Sequence, residues 1–290
     1  MTPLDNSTDL EQTARAAASG ANATRVFQSK TAGGSAISKE RVDEVAGAAI
    51  KALHEVIRDK RVTYEEYDYL KKWLIQVGLD GEWPLFLDVW LEHVVEEVAN
   101  ADREGSKGTI EGPYYVPDAP ILPAECTLEM RADEPGTPLR FQGQVKGLDG
   151  TPLGGALVDI WHADDLGFYS QFAPGLPDWL FRGRVVTDEE GRFAIQTMQP
   201  APYQIPTDGS CGRLIAAAGW HAWRPAHLHV KVSAPGHELL TAQLYFPGDP
   251  HNGDDIASAV KPELLLDVKP AEDGSSETVR YDFVLDPVKG

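Results

Sequence analysis

The sequence predicts an α+β protein: an N-terminal helical layer followed by an antiparallel β-sandwich. Two changes of pattern carry that prediction. From Lys39 to about residue 102 apolar residues recur at helical spacing. Beyond Lys107 they alternate in short runs separated by Pro and Gly. The close spacing of those runs argues for a sandwich and against a βαβ arrangement.

Residues 1–38 are rich in Ala, Ser, Thr, Gly and Asn and lack apolar periodicity, so they read as a flexible tail. Val42, Val45, Ala46, Ala49, Ile50, Leu53, Val56 and Ile57 then line one side of an amphipathic helix. A second helix opens at Thr63, which pairs with Glu66 as a capping box, and Gly78 is its expected stop. A third begins at Pro84, a favoured first-turn residue, and carries Leu87, Leu91, Val94, Val95 and Val98 on one side. Residues 39–105 are thus expected to form the helical layer, and residues 106–290 the sandwich.

Within the second part, residues 139–146 and 156–161 alternate on either side of an Asp149-Gly150 turn. Residues 182–187 and 192–197 flank Asp-Glu-Glu-Gly and are expected to pair as a hairpin. Strands at 226–233, 239–246 and 279–285 follow.

Composition narrows the function. A net charge of −19 leaves no basic face for nucleic acid or an anionic membrane surface. Two cysteines in 290 residues make no disulfide framework and point to a reducing compartment. No window approaches the roughly 18 apolar residues of a membrane span, and the start lacks a secretory pattern. A cytoplasmic protein is expected.

The chemistry centres on Trp-Arg-Pro-Ala-His-Leu-His-Val-Lys-Val, residues 223–232. On a strand, side chains two apart share a face. His227 and His229 therefore point together to one side, with Leu228, Val230 and Val232 on the core side. Two parallel imidazoles can serve one metal ion. A cupin-like glutamate is missing at Ser233 and Ala234, and no carboxylate stands at the spacing of a ferrous facial triad. Zinc stays open, because His221, His237 and His251 lie on expected loops. Tyrosine offers another completion. Tyr169 and Tyr203 lie in Gly/Pro-rich connections, where a rigid scaffold displays ligands. A strong Lewis acid such as Fe³⁺ ionises a phenol. Two tyrosinates, two neutral imidazoles and one hydroxide leave Fe³⁺ without net charge, a comfortable state for a buried site.

Ordered motifs extend this reading. They are Ile-Glu-Gly-Pro-Tyr-Tyr (110–115), Asp-Ile-Trp-His-Ala-Asp (159–164), Gly-Phe-Tyr-Ser (167–170) and Arg-Gly-Arg (182–184). Pro-Ala-Pro-Tyr-Gln-Ile-Pro-Thr-Asp-Gly (200–209), the Trp-Arg-Pro-Ala-His-Leu-His run and Asp-Asp-Ile-Ala (254–257) follow. With these motifs the chain resembles the intradiol ring-cleaving dioxygenases over residues 39–288, and within them the enzymes acting on catechol.

The resemblance implies a non-haem Fe³⁺ held by Tyr169, Tyr203, His227 and His229, with Tyr203 as the displaceable ligand that takes a substrate proton. It implies cleavage of catechol with O₂ to cis,cis-muconate, and it gives Arg224 the role of stabilising carbanion character on the ring. Matching pocket positions are Leu85, Asp88, Val89, Ile110, Pro113, Tyr114, Gln243, Ile256 and Ala257. Tyr114 stands where many catechol enzymes carry Leu and chlorocatechol enzymes often carry Tyr, so chlorocatechol and hydroxyquinol cleavage are the alternatives. The resemblance also implies a homodimer formed through the helical layer, often around a bound phospholipid. A sandwich acting only as a binding or adhesion module is the reading from another class, and the four intact ligand positions speak against it.

Overall fold

A computed structural model of the chain describes residues 37–271 and 274–289; residues 1–36 of the expected tail lie outside the described residues. Helix α1 (Lys39–Lys60) is capped by the Ser38 hydroxyl, which accepts from Arg41 N. None of its residues is buried, so Val42, Val45, Ile50, Leu53 and Val56 all stand exposed. Helix α2 (Tyr64–Asp80) opens with the complete Thr63–Glu66 capping box. It runs past Gly78 and stops at Gly81, whose φ of 72° suits a left-handed cap. Gly78 serves packing instead, because a Cβ there would lie 3.2 Å from the Trp83 indole nitrogen.

The expected third helix is two. Helix α3 (Trp83–Trp90) ends at Leu91, which leaves helical geometry at φ −123°, and α4 (Glu92–Ala99) restarts at once. The reason is tertiary: the Glu92 carboxylate, at the new N-terminus, accepts from Glu111 N and Gly112 N of the first sandwich segment.

The strands are β1 (Ile121–Leu122), β2 (Glu125–Thr127), β3 (Pro138–Gly147), β4 (Leu157–Trp161), β5 (Arg182–Val186), β6 (Arg192–Met198) and β7 (Tyr203–Gln204). After helix α5 (Ser210–Ala218) come β8 (Trp223–Arg224), β9 (His227–Ser233), β10 (Leu240–Tyr245), β11 (Val268–Pro270), β12 (Glu277–Arg280) and β13 (Phe283–Leu285). One sheet has the order β1-β5-β4-β9-β10, the other β11-β12-β3-β6-β2, with β13 also pairing β3. The central pairs are antiparallel and so is β11 with β12, while β1 lies parallel to β5, β2 to β6, and β12 and β13 to β3.

The hairpin expected around Asp-Glu-Glu-Gly does not form. Strand β5 belongs to the first sheet and β6 to the second, so the 188–191 turn crosses between sheets. Turn chemistry marks a reversal of the chain; it does not name the partner.

Phe141, Val145, Phe193, Ile195 and Phe283 of the second sheet join Val158, Ile160, Leu228, Val230 and Val232 of the first in one buried cluster. The opposite face of the first sheet carries Asp159, Trp161, His227 and His229, and these too are buried. Helix α5 ties the helical layer to the sandwich: Trp73 Nε1 donates to Ser210 O at 2.8 Å, and Arg213 pairs with Asp80 at 2.9 Å. Among the described residues no helix is long and apolar enough to cross a membrane. Cys126 and Cys211 are both free thiols.

Asp159 gives this outer face a pH signature. Burial raises its carboxyl from 3.8 to about 6, against the opposing pull of the Tyr115 hydroxyl at 3.0 Å and of Arg184 and Lys231. A folded value above the unfolded one means that stability is fully present below 3.8 and is lost as pH rises through about 6. Two pH units correspond to about 3 kcal/mol. Asp159→Asn should therefore gain stability over the parent as pH rises from 4 to 7, by up to about that amount, measured by urea unfolding.

Candidate metal centre

Strand β9 delivers the centre because both of its faces are buried where its two histidines stand. His227 Nε2 lies 3.0 Å from His229 Nε2. His227 Nδ1 sits 2.7 Å from the Pro225 carbonyl, which only accepts, so Nδ1 carries the proton and Nε2 presents its lone pair. Trp161, directly opposite His229 on β4, stacks on it at 4.6 Å and 13° and fixes its ring plane. Burial, with the Arg224 charge adding to it, pulls His227 down to about 3. Burial and the neighbouring His227 likewise hold His229 well below its ordinary value. Both rings are neutral at neutral pH, the form that ligates metals.

Two loops bring the tyrosines in. Asp164, the last residue of Asp-Ile-Trp-His-Ala-Asp, accepts from Leu166 N and Phe168 N through one carboxylate oxygen. Its backbone carbonyl accepts from Gly167 N, so the turn before Tyr169 is closed. Gly167 has φ +83°, and a Cβ there would fall 2.4 Å from the Tyr203 Cβ, so glycine is what lets the two tyrosine segments meet. Tyr203 lies on the β7–β8 ribbon directly opposite Arg224. The Tyr169 hydroxyl is 3.1 Å from His229 Nε2. The Tyr169 and Tyr203 rings meet edge-on at 5.5 Å, and Tyr203 lies 5.7 Å from His227. Burial raises the pKa of both phenols, so without a cation neither ionises.

Arg224 is buried beside them. Its Nε and Nη2 donate to the two oxygens of Asp255, each at 3.0 Å, and Nη2 also donates to Gln243 Oε1 at 2.8 Å. Nη1 faces His227 Nε2 at 3.4 Å. Asp255 is anchored in turn by Ala257 N and Ala259 N, and Gln243 by the Tyr245 hydroxyl and its own bond to Ile110 O. Desolvation works against both charges, yet the pair outweighs it: Asp255 stays below the usual carboxylate value and Arg224 well above its own.

Two phenols and two imidazoles fit a hard, highly charged ion. With the proton on His227 Nδ1, two nitrogen lone pairs 3.0 Å apart repel unless a proton or a cation lies between them. A proton on His229 Nε2 or a cation shared by both nitrogens removes the repulsion; either leaves His229 Nδ1 with no partner among the described residues.

Around this group Tyr114 stacks on Tyr169 at 4.4 Å and 5°. Leu85, Val89, Ile110, Tyr114 and Ala257 share one buried cluster with Tyr169 and Tyr203, and Ile256 packs against it. Pro113 is buried between Gly112 and Tyr114, and Asp88 is half-buried on α3 between Leu85 and Val89. His221, exposed, and His251, half-buried, cluster with Asp254 instead, and His237 is half-buried beside Pro235 O. His162 is structural: Ala163 O and Thr197 Oγ1 take its two nitrogens, and burial lowers it to about 4.

Sequence reasoning quoted the motifs of Asp164, Asp255 and Trp161 but assigned them no task at the centre. The signal was available for Asp255, a carboxylate directly before the pocket pair Ile256-Ala257. Tyr245 carried none, since an alternating strand explains it.

Residues 110–287 match the family described as Dioxygenase, and residues 39–107 match the Catechol dioxygenase N terminus. The chain belongs to the intradiol ring-cleavage dioxygenases. It is 41% identical over 254 residues to a chlorocatechol 1,2-dioxygenase of Rhodococcus opacus, covering 86% of this chain and 99% of that one. A catechol 1,2-dioxygenase of Acinetobacter baylyi is 34% identical over 85% of this chain and 82% of its own length. Among solved structures, 3-chlorocatechol 1,2-dioxygenase from Rhodococcus opacus 1CP superposes with a TM-score of 0.83 at 49% identity, covering 87% of this chain and all of that one. The chain is thus an intradiol 1,2-dioxygenase.

The buried Arg224–Asp255 pair carries a test of its own. Asp255→Ala strands a buried guanidinium and should cost about 3–5 kcal/mol in urea unfolding. Removing both charges, as Arg224→Met with Asp255→Ala, should cost less than Asp255→Ala alone.

Proposed function

We propose that Tyr169, Tyr203, His227 and His229 hold Fe³⁺, and that the chain cleaves catechols with O₂ between the two hydroxyl-bearing carbons. Catechol itself would give cis,cis-muconate, and chlorinated catechols are the better substrates. The observation that carries the metal assignment is the meeting of four neutral donors at one buried spot, with His227 and His229 Nε2 at 3.0 Å and Tyr169 Oη 3.1 Å from His229. The substrate reading moves from the catechol expectation toward its alternative for two reasons. Tyr114 lies flat on Tyr169, narrowing the pocket beside a ligand. The 41% relative is itself a chlorocatechol enzyme.

Bound there, Fe³⁺ would draw electron density out of a chelated catecholate and so open its ring carbons to O₂. The chain's own residues do the rest. Tyr203 sits in a two-residue ribbon outside the main sheets, so it can leave without disturbing β9, and its oxygen takes the proton of the arriving hydroxyl. The second catechol proton would go to the hydroxide, which leaves as water, so the arriving dianion replaces one phenolate and one hydroxide and the buried charge stays balanced. Arg224 keeps its charge because of Asp255. Its Nη1, the end nitrogen that neither Asp255 nor Gln243 holds, faces the centre 3.4 Å from His227 Nε2, where it would stabilise negative charge building on the ring. Leu85, Val89, Ile110, Pro113, Tyr114, Ile256 and Ala257 exclude water, while Asp88 and Gln243 supply polar edges.

Residues 39–105 are the dimerisation layer in this reading. The exposed apolar residues of α1 and the depression lined by Ile57, Val62, Tyr64 and Tyr67 suit a second copy, with a phospholipid between. A cytoplasmic setting fits the two free thiols.

Three measurements test the proposal. His227→Ala and His229→Ala should each lose iron, and full iron by metal analysis in either would overturn the ligand set. Tyr203→Phe should shift the visible charge-transfer band and slow kcat by about 10²–10⁴-fold; a parent spectrum with near-parent kcat would make Tyr203 a packing residue. Tyr114→Leu should move the kcat/KM ratio of chlorocatechol to catechol toward catechol by roughly tenfold to a hundredfold, with iron content unchanged.

A further inference from the structure

Two surface stretches flanking the Arg224–Asp255 pair carry a second group of metal-ligating side chains. His221 lies three residues before Arg224, and His251 and Asp254 lie just before Asp255. His221 Nε2 is 3.5 Å from Asp254 Oδ2, and His251 Nδ1 is 3.2 Å from Asp254 Oδ1. All three donor atoms fall within 4.8 Å of one another. Four-coordinate zinc with bonds of about 2.0–2.1 Å sets its ligand atoms roughly 3.3 Å apart. The two histidines meet different Asp254 oxygens, so a shared ion needs the exposed carboxylate to turn one oxygen toward both.

We propose that His221, His251 and Asp254 form a second, surface site for a divalent transition ion, Zn²⁺ by its donor set, with water completing the sphere. Two imidazoles and one carboxylate suit zinc better than the hard cations Ca²⁺ or Mg²⁺, which prefer oxygen alone. The ligands are held ready. His251 lies flat on Trp223 at 5.1 Å and 4°, and its backbone N–H donates to Asp249 Oδ1 at 2.9 Å. Asp254 N donates back to His251 O, closing the turn. His221 Nδ1 takes the Trp223 N–H at 3.1 Å. Ligation through Nε2 moves the ring proton to Nδ1 and gives up that bond; the group is exposed, so water replaces it. The chain's charge of −19 favours any cation.

An ion here ties the segment ending in Arg224 to the turn leading into Asp255. The site is separate from the tyrosine–histidine group, whose ligands it does not share. Filling it should stiffen the Arg224–Asp255 pair without touching the proposed iron.

The test is equilibrium dialysis of the iron-loaded, full-length chain against Zn²⁺, with zinc and iron both measured by elemental analysis. One zinc per chain with iron unchanged, together with a rise in Tm, is expected. His221→Ala and His251→Ala should each lose both effects while keeping iron, each variant's Tm with zinc being read against its own Tm without zinc. His237→Ala, which removes a half-buried histidine outside the group, should keep them. Nickel should quench tryptophan fluorescence through Trp223 in the parent and not in His251→Ala. The proposal fails if no zinc is retained, if zinc enters only as iron leaves, or if the His221 and His251 variants still bind it.

Discussion

Four polar rings are buried on the outer face of one sheet, and most of the structure around them follows from keeping them dry and satisfied. A lone imidazole or phenol in such a place forfeits its bonds to water and needs partners in return. His227 finds Pro225 O, Tyr169 finds His229, and Arg224 finds Asp255 and Gln243. What stays unmet among the described residues is the pair of facing nitrogens, whose repulsion a shared cation would relieve, and the buried His229 Nδ1.

Each neighbouring element contributes to the enclosure. The 110–115 segment crosses above His229 because Glu92 grips its backbone from the helical layer and Gln243 grips Ile110 from β10. The break between α3 and α4 is therefore part of the site's construction. The tyrosine loops close over β9 because Asp164 rigidifies one turn and Gly167 yields space to Tyr203. Trp161 completes the floor by stacking on His229.

The charge arrangement separates two tasks. Asp255 and Gln243 saturate one side of the Arg224 guanidinium and leave Nη1 toward His227. A planar fork held on two edges presents the third with little freedom, which a lysine at this position would not do. Asp255 belongs to the same turn as Ile256 and Ala257 and accepts from Ala257 N, so one carboxylate places both that turn and the guanidinium.

Sequence alone determined what depends on local chemistry and strand or helix period. His227 and His229 share a face because strands alternate, Thr63 caps α2 because Glu66 stands three residues on, and the order of helices then strands follows from the change of period at residue 107. The motifs also placed Tyr169, Tyr203 and Arg224 as candidates through resemblance. Tertiary structure decided what depends on partners far away in the chain. It sent β5 and β6 into different sheets, moved the α2 stop from Gly78 to Gly81 so that Trp83 could pack, and split the third helix at Leu91. It also paired Arg224 with Asp255 across 31 residues and laid Tyr114 on Tyr169. A periodic pattern tells which side of an element is apolar; which surface meets that side is set by the packing of the whole chain, and no local stretch of sequence contains it.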